Sequence, residues 1–167
     1  MDLNALTKLH YGVYILSSAA DGKMSGQTTN SVMQVTSDPV QIAACVSKQN
    51  FTYELINKSG KFSISAISQE APFKFIGNFG FKSGRNINKF ENIEHYISNG
   101  IPVVTQHATA VFELELVQKI DLGTHEIFIG KVTEMKITDN SQTTMTYEHY
   151  HKVKGGLTPK NAPTFGK

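Results

Sequence analysis

One cysteine in 167 residues, Cys45, removes several chemistries at once. A single thiol forms no internal disulfide, no zinc knuckle, no rubredoxin-type iron site and no CxxC redox couple. A reducing compartment is the simplest setting for such a chain, and a cytoplasmic location is expected. Cys45 itself stands in the apolar run "VQIAACV", where a thiol is packing rather than a nucleophile. An excess of one charge is also missing: 16 Lys and Arg are interspersed with 14 Asp and Glu, for a net +2. No basic run is available to track a phosphate backbone, so nucleic acid is not an expected partner. Long apolar runs are absent too. Between Met1 and Leu9 polar residues recur every second or third position, and neither a signal peptide nor a membrane span is expected.

Several nucleotide and catalytic signatures are missing as well. There is no GxxxxGK[ST], no Gly-x-Ser-x-Gly elbow, and Gly77, Gly80 and Gly84 lack the spacing of GxGxxG. His149 and His151 would share one face if extended, but neither His107 nor Glu148 supplies a third ligand at an identifying spacing, so no metal centre is expected.

What is present is a chain 40% apolar and 18% charged, enough to bury one sizeable core. "LHYGVYILSS" followed by Asp21-Gly22 predicts a β-hairpin leading into "GQTTNSVMQVTSDP", Gly26 to Pro39, which reads as a half-buried strand rich in small polar groups. Val40 to Val46 reads as a strand buried on both faces. Phe51, Leu55 and Ile56 at helical spacing, with Gly60 behind them, predict a short helix. Phe62 to Ile67 alternates as a strand with one wet or ligand-facing side, "PFKFIGNF" from Pro72 is a second short helix, and "GFKSGRNINKF" is a loop. Ala108 to Leu122 and His125 to Asp139 form two long strands around Gly123-Thr124, with Glu113, Glu115 and Gln118 on a solvated face. "GGLTPKNAPTFGK" has little to bury, so residues 1–154 form the domain and 155–167 a tail. Strands outnumber helices and are joined by short turns, which predicts a mostly antiparallel β-barrel with peripheral helices.

Three clusters of small polar or basic groups carry the functional signal. The first is Thr28, Thr29, Asn30, Ser31, Thr36 and Ser37. The second is "SKQNFT", where Ser47, Lys48, Gln49, Asn50 and Thr52 precede a helix start, a place whose free N–H groups and dipole favour an anion. The third is "FKSGRNINK", where Lys82, Ser83, Arg85 and Lys89 surround Gly84 as in a phosphate-holding loop. Singly, each is satisfied by a solvated strand face, a helix cap or a solvated loop. Together they suit a phosphorylated aromatic ligand, which needs a charged end and hydrogen-bonding edges.

The stretches "TTNSVMQVTSDP", "VSKQNFTYELINKSGKFSISAI", "SGRNINKF" and "GIPVV", in this order, resemble the flavin reductase-like family, the FMN-binding split barrels. The resemblance runs from about Leu9 to Thr164. The end "HYHKVKGGLTPKNAPTF", His149 to Phe165, is similar to the flavoprotein module of high-molecular-weight rubredoxins and to flavoredoxins. The resemblance implies an antiparallel split β-barrel of Greek-key type and a homodimer. It also implies bound FMN, with FAD as the other flavin, reduced by NADH or NADPH. Thr28, Thr29, Asn30, Ser31, Val35, Thr36 and Ser37 would border the ring and ribityl chain. Ser47, Lys48, Gln49, Asn50, Thr52, Ser83, Gly84 and Arg85 would hold the phosphate, with Lys89 nearby. Asn86 and Asn88 stand where the family loop commonly has Asp, which leaves that loop without the usual carboxylates. His151, or His149, is the candidate for a group near the reactive edge.

The implied activity is hydride transfer from NAD(P)H to bound flavin and onward transfer to a protein acceptor such as rubredoxin or a flavodiiron-type protein. The alternatives are a reductase that releases free reduced flavin to a monooxygenase, and a non-enzymatic flavin carrier. The sequence read here supplies no four-cysteine segment, so the expected rubredoxin is a separate protein.

Overall fold

The computed structural model describes residues 1–164, apart from the side chains of Leu3, Asn4 and Thr7; Phe165 and the last residues of the expected tail lie outside the described residues. After a 3-10 helix over Leu3–Lys8 come β1 (Tyr14–Ala20) and β2 (Lys23–Thr29). Asp21 and Gly22 join them, both at positive φ (52° and 70°), the turn whose twist matches the flanking strands. β3 (Val32–Ser37) and β4 (Val40–Ser47) form the next hairpin, and then comes α1 (Phe51–Ser59). Gly60, at φ 65°, ends that helix by donating its N–H to the Ile56 carbonyl, as a C-terminal glycine does. β5 (Lys61–Ile67), α2 (Phe73–Gly80), the hairpin β6 (His95–Ser98) and β7 (Ile101–Val104), the long hairpin β8 (Ala108–Asp121) and β9 (His125–Ile137), and α3 (Tyr147–Lys152) complete the chain.

Seven strands make one antiparallel sheet in the order β2-β1-β5-β8-β9-β4-β3, and β6 and β7 make a separate pair. The non-sequential order is the crossover pattern of Greek-key connections. Alternation along the strands feeds two cores. Leu16, Phe62, Ile64, Val46, Leu114 and Phe128 meet on one side with Ile56 of α1. Ile15 and Ile67 turn to the other side, against Phe75, Ile76 and Phe79 of α2 and Tyr150 of α3. Because side chains alternate, a single strand serves both layers.

The structure departs from expectation in four places. "GQTTNSVMQVTSDP" is not one strand: it breaks at Asn30-Ser31 into the end of β2 and the whole of β3. The serine face of β5 is not wet. Ser63 and Ser65 are fully buried and donate to the Pro102 and Val104 carbonyls of β7, a strand the alternation pattern did not show. Glu113 is buried rather than solvated, and its two oxygens accept from Tyr96 (2.9 Å) and Ser98 (2.6 Å) of β6. His149 and His151 lie on a helix, two residues apart, and so do not share a face. Among the described residues no helix is long and apolar enough to cross a membrane.

Candidate functional site

A cavity of about 520 Å³ opens between β2, the start of α1, the end of α2 with the loop behind it, α3, and the chain from Leu157 to Pro163. Its wall is polar where β2 faces it. Gln27 accepts from the Asn50 side chain at 3.0 Å, Thr28 donates to the Ile76 carbonyl at 2.9 Å, and Thr52 donates to Ser25 at 3.4 Å. These bonds tie β2 to both flanking helices and explain why a strand beside two helices carries small polar side chains. Asn50 occupies the N-cap position of α1 without capping it, because its amide is engaged with Gln27 and its carbonyl oxygen accepts from Asn161. The start of α1 therefore faces the cavity without a side-chain cap, and the one acidic residue of its first turn, Glu54, is paired with Arg85.

The loop after α2 closes a second side. Gly84 packs so tightly on β2 that a Cβ there would stand 2.9 Å from the Cβ of Ser25, and nearer still to its hydroxyl. Arg85 next to it is anchored to α1: it pairs with Glu54, donates to the Gln49 carbonyl at 3.0 Å and lies over the Phe51 ring at 5.3 Å. Lys89 is buried, with its ammonium donating to the Gly26 and Phe79 carbonyls, each at 2.8 Å. Burial without a carboxylate partner pushes its pKa down to about 8. Burial also raises the pKa of the half-buried Cys45 thiol in the wall, which keeps it a thiol.

Among the described residues, Lys82, Arg85, Lys89 and Lys160 line this cavity and no carboxylate does. Aromatic surface completes it: Phe51, Phe79 and Phe81, and the tyrosines Tyr147 and Tyr150, stacked with centroids 6.0 Å apart.

The segment read as a tail is part of the wall. Gly156 donates to the Tyr150 carbonyl, the Tyr150 hydroxyl donates to the Leu157 carbonyl, and the Tyr147 hydroxyl meets Thr158. Farther along, His125 at the start of β9 contacts the Asn161 carbonyl at 3.2 Å, and buried Thr164 accepts from Asn30 at 3.0 Å. The chain from Gly156 to Thr164 thus straps the cavity from α3 across to β2 and β9.

Of the residues singled out from sequence, Thr28, Thr29, Asn30, Ser47, Gln49, Asn50, Thr52, Ser83, Gly84, Arg85 and Lys89 converge on this cavity. Ser31 stands just outside, donating to Asn30. Val35, Thr36 and Ser37 do not reach it: β3 is an edge strand, these three are exposed, and Thr36 donates to the Pro39 carbonyl instead. Lys48 points away to an exposed ion pair with Asp121 at 2.7 Å. His151 is also outside the lining; its ring stands edge-on to Tyr147 at 4.3 Å, with Thr158 at 3.4 Å. The sequence reading missed Ser25, Gln27, Phe51 and the two tyrosines, since only the position of α1 and α3 over β2 shows that they share a wall with the hydroxyl cluster.

Chemically, the cavity offers a cationic end beside a helix N-terminus, amides and hydroxyls along β2, and flat apolar surface. That donor set fits a phosphorylated heteroaromatic ligand of the size of a flavin mononucleotide. The comparisons agree. The flavin reductase like domain family matches residues 6–156. A ferric-chelate reductase (NAD(P)H) from Archaeoglobus fulgidus is 40% identical over 166 residues, 99% of this chain and 98% of that one. A high molecular weight rubredoxin from Moorella thermoacetica is 46% identical over 166 residues, 99% of this chain and 72% of that one. In structure, the NADH:FAD oxidoreductase SgcE6 of Streptomyces globisporus C-1027 superposes with a TM-score of 0.77 at 20% identity, covering 87% and 86% of the two chains. That likeness concerns the fold, a split barrel. This chain is a member of the flavin reductase-like family.

Proposed function

We propose that this protein is a flavin oxidoreductase that holds FMN in the strapped cavity, is reduced by NADH or NADPH, and passes electrons to a protein acceptor of the rubredoxin kind. The observation that carries the reading is the cavity lining, with its four cations, no carboxylate and an uncapped helix start beside flat apolar walls. Ser47, Gln49, Asn50, Thr52, Ser83 and Arg85 would hold the phosphate, and the polar face of Thr28, Thr29 and Asn30 would border the ring edge. Bound there, FMN would supply the redox chemistry, as a hydride acceptor and a one- or two-electron donor. The chain's own residues orient the cofactor, exclude water through the strap, and supply positive potential to favour the anionic reduced form. His151 has no part in this, because it lies outside the cavity.

The strap favours a retained cofactor over a flavin that is released after each turnover. The rubredoxin-named relative favours a protein acceptor. The Archaeoglobus relative is matched over nearly its whole length, and its name supports a second reading, in which a ferric chelate takes the electrons.

The test is direct. Protein stripped of flavin is titrated with FMN, then mixed with NADH or NADPH in a stopped-flow instrument. Bleaching of the flavin band within the mixing experiment supports the reading. Protein that leaves FMN free in solution refutes it, and bound FMN that stays oxidised for minutes points to a carrier instead.

A further inference from the structure

The stacked tyrosines of the cavity continue outward. Phe73 lies parallel to Tyr150, with centroids 6.2 Å apart and 6° between the planes, and Phe81 stands 6.2 Å from Phe73. Phe73 and Phe81 are 41% and 47% exposed, and Leu157, whose carbonyl accepts the Tyr150 hydroxyl, is 67% exposed. Phe81 and Leu157 in the cavity lining and Phe73 just outside it leave three large apolar side chains exposed at the cavity's edge, which marks an interaction surface. Lysines predominate beside them, with Glu70 an exposed carboxylate just before α2. Lys82 and Lys160 line the cavity mouth, and Lys74 is exposed next to Phe73 on α2. Two carboxylates on neighbouring elements are already paired, Glu54 with Arg85 and Glu148 with Lys152.

We propose that Phe73, Phe81 and Leu157, inside the rim of Lys74, Lys82 and Lys160, form the docking surface for a small acidic one-electron protein that collects its electrons at the cavity mouth. The inference rests on the flavin reading above, because the electrons originate in the cavity. Oxidation of one NAD(P)H to NAD(P)+ yields two electrons and one proton. The proton goes to solvent, and two partner molecules take one electron each in successive encounters. A small apolar centre suits this turnover, since electron-transfer partners bury little area and separate quickly. The cationic rim supplies the charge complementarity that speeds encounter. A second copy is the competing occupant, but a two-fold contact through this patch would bring its lysine rim against an identical rim.

Protein loaded with FMN and reduced by NADH is mixed with a purified acidic rubredoxin, whose bleaching reports arrival of the electron. Phe73→Ser and Lys74→Glu are the variants, both outside the cavity lining. The wild-type second-order rate should fall with added salt, and each variant should be slower by about tenfold at low salt, with the NADH half-reaction unchanged. Equal rates in all three proteins, or a wild-type rate indifferent to salt, would overturn the proposal. Light scattering on the same samples reads the competing occupant: a change of oligomeric mass in Phe73→Ser would assign the patch to self-association and overturn it too. Protein that is not reduced by NADH fails at the earlier step, which refutes the flavin reading itself.

Discussion

Lys89 shows how a single side chain can be read two ways. In sequence it is one more cation near a glycine; in the structure it is a buried ammonium spanning two backbone carbonyls, with its pKa pushed down to about 8. Its folded pKa lies below the ordinary lysine value of 10.5, so between these two pH values the unfolded chain binds the extra proton. Wild-type stability relative to Lys89→Met should therefore rise as pH increases from about 8 toward 10.5, and stay level below 8. Denaturant midpoints of both proteins at several pH values check the sign, and a wild-type stability that falls relative to the variant across that range contradicts it.

Gly84 carries a second expectation at this scale. A methyl group there meets the Ser25 side chain across the loop, so Gly84→Ala should cost about 1–3 kcal/mol by overpacking and weaken FMN binding, while Ser25→Gly in the same chain should restore part of both. Thermal melts and FMN titration of the three proteins decide it.

Among the elements, the strap and the β6–β7 hairpin were the least legible. The strap's Gly, Pro and Lys composition signals a linker, because its bonds are made by Asn161 and Thr164 with Asn50, Asn30 and His125, residues far away in sequence. Asn161→Ala should speed release of bound FMN by about tenfold, as expected for losing a part-buried hydrogen bond. Recovery of FMN fluorescence on dilution measures this, and an unchanged release rate would deny the strap a retaining role.

The hairpin did carry a local signal: Asn99 and Gly100, both at positive φ, are the Asn-Gly pair of a tight turn. What it covers was not readable. Glu113 looks like a solvated strand residue until β6 delivers Tyr96 and Ser98 to it, and burial beside that carboxylate pushes the Tyr96 hydroxyl up to about 12. Tyr96→Phe leaves one oxygen of a buried carboxylate without its donor, and should lower stability by about 1–3 kcal/mol in chemical denaturation. The β1–β2 and β8–β9 hairpins and the Gly60 helix stop were legible because each depends on a turn or cap encoded within a few residues.

For the whole molecule, the expectation concerns association. Val117, Ile120 and Leu122 toward the turn end of the long hairpin, with Met33 and Val35 on edge strand β3, are large apolar side chains left exposed on this chain. A homodimer that covers them would account for their exposure, and light scattering should give twice 18.4 kDa. A Val117→Lys substitution should shift that mass toward the monomer.

The sequence by itself determined the antiparallel class, the turns, the helix boundaries near Gly60 and the three polar clusters, since periodicity and turn chemistry act over short spans. Tertiary structure alone decided which polar residues form a site. Thr28 and Thr36 belong to one stretch of similar composition, yet a break at Asn30-Ser31 sends the first to the cavity and the second to an exposed edge. Such a choice depends on which element packs over each strand face, and that is settled by contacts among residues distant in sequence.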